Sequence, residues 1–421
     1  MATHELVAEL RREVAARMAA DPAEEDGDRR TRVETLVEQA LDAHARHALA
    51  SGRPTLDAAT EKVVARAVRD GLLHFGGLQQ WLDDPMVENI TCNGYDVVHV
   101  TWADGTKRRV GPIAASDRDL EDQVRQIAVG AGLEERRFDR GVPRLSMQLP
   151  DGSRLFAVMA VCPRPSITLR RHRFMAVDLS DLRAMGTIDH RLEHLLRAVV
   201  RARRNIVVCG GTNIGKTTLL RALAHEINPD QRLVTIEDAF ELGLDRDPGR
   251  GDVVTLQARE PNLEGVGQVP MAELTRWALR MSPDRVIVGE VRGPEVIPMC
   301  QAMSQGNDGS LATVHASSSR GALLRLATYA VQAPEQLNLE AANLLIAGAV
   351  HVVVHLDRDA AGRRVVSSVR EVTGAEGNQI PSNEFFRPGP HVAAVPASPP
   401  SHQLREALIA AGAPPDVFTP G

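Results

Sequence analysis

The sequence predicts an α/β fold on a parallel sheet, preceded by a small α+β domain and a helical N-terminal region. Three observations predict it. From about residue 181, short apolar runs alternate with helix-spaced segments, the pattern of a parallel sheet covered on both faces. Residues 76–175 carry short strand-like runs with turn signals between them. Residues 1–75 show only helical spacing.

Taken in order, Leu6, Val7, Leu10, Val14 and Met18 give a first helix. A polar break at residues 20–30 precedes a second, with Val33, Leu36, Val37, Ala40, Leu41 and Ala48. Gly52-Arg53-Pro54 marks another break, and residues 56–73 supply a third helix. No catalytic spacing occurs there, so a packing or interaction module is expected. Asn89-Ile90-Thr91-Cys92 and Val97-Val98-His99-Val100 flank Asn93-Gly94-Tyr95-Asp96, a hairpin signal. A helix over 120–131 and strand-like runs at 154–159 and 167–170 complete a small α+β domain over 76–180. The α/β domain is expected over 181–375. The prolines at 388, 390, 396, 399, 400, 414 and 415 predict a mostly flexible tail over 376–421, with one short helix near 403–411.

Ile206-Val207-Val208-Cys209 runs into Gly210-Gly211-Thr212-Asn213-Ile214-Gly215-Lys216-Thr217-Thr218, which fits the phosphate-loop pattern G-x-x-x-x-G-K-[ST]. Leu219, Leu220, Leu223 and Ala224 follow at helical spacing, so the glycines join a strand to a helix. Glycines let the backbone curl until several N–H groups face phosphate oxygens. The helix start adds the positive end of its dipole. Gly210, Gly211, Thr212, Asn213, Ile214, Gly215, Lys216, Thr217 and Thr218 are therefore candidate nucleotide-binding residues. Lys216 suits the β- and γ-phosphates, and the Thr217 hydroxyl suits Mg²⁺.

Composition narrows the class. With 43% apolar and 25% charged residues in 421, the chain reads as globular with two or three domains. A net charge of −6 and 3% aromatic residues offer neither bulk attraction to nucleic acid nor a stacking platform, so no stable nucleic-acid binding is expected. Cys92, Cys162, Cys209 and Cys300 lie far apart without C-x-x-C and read as buried thiols in a reducing compartment. Residues 1–18 are charged throughout, unlike a signal peptide, and the apolar tracts at 155–162 and 344–356 are too short or interrupted to span a bilayer. A cytoplasmic location is expected, with any membrane role peripheral.

Ligands of an open parallel sheet sit outside the carboxyl ends of its strands. The run 233–236 ends at Glu237-Asp238, the run 286–288 at Gly289-Glu290, and the run 310–315 at His315. A phosphate-loop hydrolase needs an acidic group for Mg²⁺ or its waters and a group to orient the attacking water. Glu290 suits the first role and Glu237 the second, while His315 suits a γ-phosphate contact. Lys216, Glu237, Glu290 and His315 are the candidate catalytic residues, and Thr217 and Glu290 the candidate metal ligands. Singly, a carboxylate after a strand often only caps the next helix and a lone histidine is often structural. Their joint placement on one rim favours chemistry.

These boxes resemble those of secretion ATPases of the type II/type IV superfamily, most of all the CpaF branch that powers Tad-type pili. Residues 210–217 match the family's Walker A box and Ile236-Glu237-Asp238-Ala239-Phe240-Glu241-Leu242 its aspartate box. Residues 284–293 match the Walker B region and 306–316 the histidine box. Residues 259–265, Leu279-Arg280-Met281, 84–90, Asn93-Gly94 and 149–154 resemble further family segments, so the likeness spans roughly 75–385. It implies a RecA-like ATPase domain behind a PAS-like domain, with ATP and Mg²⁺ as ligands. It also implies a homo-hexamer holding nucleotide between the two domains, and inner-membrane platform proteins as partners. Arginines of the N-terminal domain would reach the phosphates. Arg154 and Arg170 match these by position, the second within the basic run 170–173. The chain departs from the family at Asn213-Ile214, where Gly-Ser is usual, at Asn307, where histidine is usual, and at Ser282, where arginine is usual. Asn213 tolerates left-handed backbone geometry, so these changes bear on turnover more than on binding. A nucleic-acid-stimulated translocase and a nucleotide-binding scaffold with slow turnover remain the alternatives. A small-molecule kinase is weaker, since no second-substrate lid is recognisable.

Overall fold

The computed structural model describes residues 2–20, 26–73, 75–130, 137–149, 152–171, 177–259, 261 and 265–419. The chain divides into two compact units, one built from residues up to 173 and one from 174–261 and 265–421. Parts of the segments 149–154, 170–173 and 259–265 singled out above lie outside the described residues.

The first unit opens with α1 (Ala2–Ala20), α2 (Asp26–Ala50) and α3 (Ala58–Leu73). Leu10, Val14, Val33, Val37, Val64 and Val68 meet in one apolar cluster, as their helical spacing requires. α2 begins inside the polar stretch expected to be a break, because charged residues are poor core formers without being helix breakers. Asp57 caps α3, accepting from the amides of Ala59 and Thr60 at 2.9 Å.

The same unit continues through α4 (Gln79–Leu82), β1 (Val87–Asn93), β2 (Val98–Trp102), β3 (Lys107–Val110), α5 (Asp117–Gly130), β4 (Arg144–Gln148), β5 (Arg154–Val158) and β6 (Ser166–Arg170). Its six strands pair antiparallel in the order β3-β2-β1-β6-β5-β4. Ile90, Val98, Leu155 and Leu169 from the sheet join Leu120 and Val124 of α5 in the core. An ion pair between Arg11 and Asp119, both largely shielded, ties α1 to α5.

The second unit follows as α6 (Leu179–Ala184), α7 (His190–Arg201), β7 (Ile206–Gly210), α8 (Lys216–His225), β8 (Leu233–Glu237), β9 (Val253–Gln257), α9 (Met271–Ala278), β10 (Arg285–Val291), α10 (Val296–Ser304), β11 (Leu311–His315), α11 (Ser319–Gln332), α12 (Leu339–Ala349), β12 (Val352–Arg358), β13 (Arg364–Val372), β14 (Ser382–Pro388), β15 (Ala394–Pro396) and α13 (His402–Ala410). Nine strands form one sheet in the order β15-β14-β13-β12-β7-β11-β10-β8-β9. The six from β12 to β9 are parallel, and β13, β14 and β15 extend them antiparallel, so the sheet is mixed. β7 is buried along its whole length because alternate residues enter different cores. Ile206 and Val208 pack with α7, α8 and α13, whereas Val207 and Cys209 pack with α9 to α12.

The tail expected to be flexible is folded. Phe385 and Phe386 of β14, Leu404 and Leu408 of α13, and Val417 and Phe418 beyond it are buried in the core shared with α7. Glu371 accepts from the Ser401 amide at 2.8 Å and from its hydroxyl. The prolines delimit these elements: Pro388 and Pro396 end β14 and β15, and Pro414 precedes the last helical turn. The apolar tract at 344–356 likewise divides between α12 and β12.

Candidate active site

The carboxyl ends of β7, β11 and β10 bring the site together. Gly210 has φ 156° and Gly215 φ 99°, so the loop between β7 and α8 bends where side chains are least tolerated. A Cβ on Gly210 would lie 2.7 Å from the Leu356 carbonyl oxygen and 2.8 Å from Ile214 Cγ2. Asn213 has φ 56°, the left-handed geometry expected of it. Ile214 is buried in the core beneath the loop, so only its backbone faces the phosphate side.

Lys216, at the start of α8, is buried, and burial holds its ammonium below its ordinary pKa. It donates to the carbonyls of Gly211 at 2.8 Å and Gly210 at 3.3 Å, and it lies 3.2 Å from His315 Nδ1. The ammonium lies 3.4 Å from Nε2 as well, so it faces both ring nitrogens. That Nε2 lies 2.5 Å from Glu290 Oε1. Burial and the Lys216 charge push the imidazole pKa down while Glu290 pulls it up, with a net lowering. Beyond it, Arg292 Nε donates to Glu290 Oε2 at 2.8 Å and its Nη1 to Asp238 Oδ2 at 3.1 Å. Lys216, His315, Glu290, Arg292 and Asp238 thus form one continuous row of polar and charged neighbours along the rim.

Glu237 does not sit in that row. It is buried, with Oε2 accepting from the amides of Glu241 at 2.7 Å and Leu242 at 2.8 Å, and Oε1 from the Thr235 hydroxyl at 3.2 Å. Burial pushes its pKa up to about 7 despite those donors. Its carboxylate therefore holds the 238–242 loop in place, a correction to the water-orienting role expected from its position. Gly289 makes room for it: a Cβ there would lie 3.2 Å from Glu237 Cγ. The rim group from β8 is instead the next residue, Asp238. Asp238 and Arg292 were both missed as site residues. Their signal was adjacency, one and two positions beyond residues that were singled out.

Thr217 and Thr218 occupy the first turn of α8, both half-buried. Thr217 and Glu290 supply the hard oxygen donors that Mg²⁺ prefers. Asn307 and Ser282 lie at the opposite, amino end of the strands, ahead of β11 and β10. Asn307 donates to the Pro283 carbonyl ahead of β10, and Ser282 takes φ 50° to end a helical turn. Neither touches the rim, so their departures are local packing matters. In the first unit, Arg154 of β5 and Arg170 of β6 are direct cross-strand partners, 16 positions apart in sequence yet side by side on one face.

Comparison with known proteins gives a family and a set of relatives. The family described as "Type II/IV secretion system protein" matches residues 78–384. A Mycobacterium tuberculosis protein assigned by name to conjugal transfer is 39% identical over 321 residues, covering 74% of this chain and 88% of its own. The type IV secretion system protein VirB11 of Brucella suis is 31% identical over 322 residues, covering 69% and 88%. Among solved structures, the pilus retraction motor PilT with bound ADP superposes with a TM-score of 0.50 at 17% identity, covering 69% of this chain and 80% of its own, a likeness of fold.

Proposed function

The chain belongs to the type II/IV secretion system protein family and is an ATP hydrolase, and from that premise we propose that it powers a type IV-like secretion or pilus-assembly machine. The observation that carries this reading is the Lys216–His315–Glu290 row at the mouth of the phosphate loop. Lys216 exchanges its loop carbonyls for the β- and γ-phosphates of ATP. His315, placed between Lys216 and Glu290, passes the presence of that phosphate to the rim. Glu290 orients the attacking water, the role that Glu237 cannot take while it holds its loop. Thr217 and Glu290, the latter through water, are the residues that would hold Mg²⁺, which supplies neutralisation of phosphate charge when bound.

Arg154 and Arg170 are proposed as phosphate ligands supplied by the first unit. Assembly into a homo-hexamer, membrane platform proteins as partners, and Tad-type pilus assembly complete the proposal, the last from the order of the four boxes. The relatives named for conjugal transfer and type IV secretion support a second reading, a conjugation-type secretion motor. Among the described residues no helix is long and apolar enough to cross a membrane, which fits a peripheral engine held by its partners.

The test is Mg-dependent phosphate release by the full chain and by Lys216→Ala. We expect kcat to fall about 10²–10³-fold, as for loss of one preorganised charge donor. Equal release by both proteins sinks the mechanism. Co-purification with pilin subunits, as against a conjugation channel, separates the two readings.

A further inference from the structure

We propose that Arg364, on the hairpin between β12 and β13, is the residue against which the nucleoside end of ATP lies. This rests on the ATPase reading above and deepens it.

The reacting end of the site lies to one side of β7. His315 ends β11, which pairs with β7 so that His315 stands opposite Gly210. β12 flanks β7 on the other side, with Leu356 opposite Gly210. Adjacent strands are only about 4.8 Å apart, less than a nucleoside triphosphate spans. A nucleotide with its terminal phosphate at Lys216 and His315 therefore carries its nucleoside across the end of β7 to the β12 side.

The hairpin there is braced and basic. Asp359 accepts from the amides of Ala361 at 2.9 Å and Arg363 at 2.8 Å, and from Arg363 Nε at 2.7 Å. Arg358 donates to the Gly362 carbonyl at 2.7 Å and reaches the Asn213 carbonyl of the phosphate loop at 3.4 Å. Arg363 and Arg358 are thus committed to the hairpin and the loop. Arg364, directly opposite Arg358 in the ladder, is not. Its Cδ lies 3.5 Å from where a Cβ on Gly215 would stand, so its stem covers the last glycine before α8. Its side chain is exposed and makes no hydrogen bond or ion pair among the described residues.

Loop amides and the start of α8 already serve the phosphates. A base needs a flat surface, and in a chain with 3% aromatic residues a guanidinium plane can supply it by stacking and cation–π attraction.

The experiment compares the full wild-type chain with Arg364→Ala in ATP hydrolysis and in equilibrium binding of ADP and of inorganic tripolyphosphate. Expected are a rise of about fivefold in KM for ATP and in Kd for ADP, with kcat within about twofold and tripolyphosphate affinity unchanged. An ADP affinity that moves less than about twofold overturns the proposal. So does a parallel loss of tripolyphosphate affinity, which would make Arg364 a support of the loop. Failure of the ATPase reading looks different: wild-type hydrolysis would then be absent, or indifferent to Lys216→Ala.

Discussion

The two ends of the parallel sheet both gather polar side chains, buried at the amino end and partly exposed at the carboxyl end, and use them in opposite ways. At the amino end, Asn205 is fully buried and saturated: its side-chain amide donates to the carbonyls of Met303 and Ala349 at 2.7 Å, and its oxygen accepts from the amides of Gly309 at 2.8 Å and Ser310 at 3.0 Å. Arg285 beside it donates to the carbonyls of Val200 at 3.0 Å and Gly309 at 3.2 Å. Nearly every partner there is backbone, held by the fold and unable to titrate. At the carboxyl end, Lys216, His315, Glu290, Arg292 and Asp238 are paired largely with one another. Such partners can be exchanged for a ligand without breaking secondary structure. Burial of a polar group therefore says little by itself; what matters is whether its partners are backbone or other mobile charges.

Substitution at each end should therefore have opposite effects on turnover and stability. Glu290→Gln keeps the shape of the rim but removes the charge that faces both His315 and Arg292. We expect kcat to fall about 10²–10³-fold with the thermal midpoint little changed, read by steady-state hydrolysis beside a melting curve. Asn205→Ala should do the reverse. It strands two buried amides and two carbonyls, for a loss of about 3 kcal/mol in unfolding free energy. Hydrolysis per folded molecule should hold, and denaturant unfolding with active-fraction correction checks both. If Asn205→Ala instead silenced the folded enzyme, the division between the two ends would fail.

The contrast also explains what was legible beforehand. Strands buried on both faces read as apolar runs, and the residue that ends each run falls on the rim by topology alone, so Lys216, Glu290 and His315 could be brought together without coordinates. Their side-chain directions could not. Glu237 and Glu290 each follow an apolar run, yet one turns down into its own loop and the other faces the rim. The difference depends on Thr235 and on the amides of Glu241 and Leu242. Proline content in the tail resembles disorder, whereas the Phe385–Phe386 pair and the distant Phe418 acquire a common core only through the sheet. Arg358 and Arg364 carried no signal at all, since what brings them beside the phosphate loop is the pairing of β12 with β7.

Glu237 stands between the two cases, a titratable group with mainly backbone partners, and it provides the smallest and sharpest test. Its folded pKa of about 7 lies above the ordinary 4.5 because burial outweighs the amides that favour the anion. Below about pH 4.5 the carboxyl is protonated whether the chain is folded or not, and it contributes no pH dependence. Between pH 4.5 and about 7 the unfolded chain has released the proton and the folded chain still holds it, so stability falls as pH rises; above about 7 the loss is complete and constant. Glu237→Gln cannot ionise, and its amide oxygen can still accept from the 241 and 242 amides. Relative to wild type it should therefore gain about 2 kcal/mol between pH 5 and pH 8, whatever its absolute stability. Urea unfolding of both proteins at the two pH values measures this. A constant difference would mean that Glu237 ionises freely in the fold, and that the carboxylate end of β8 belongs with the mobile charges of the rim.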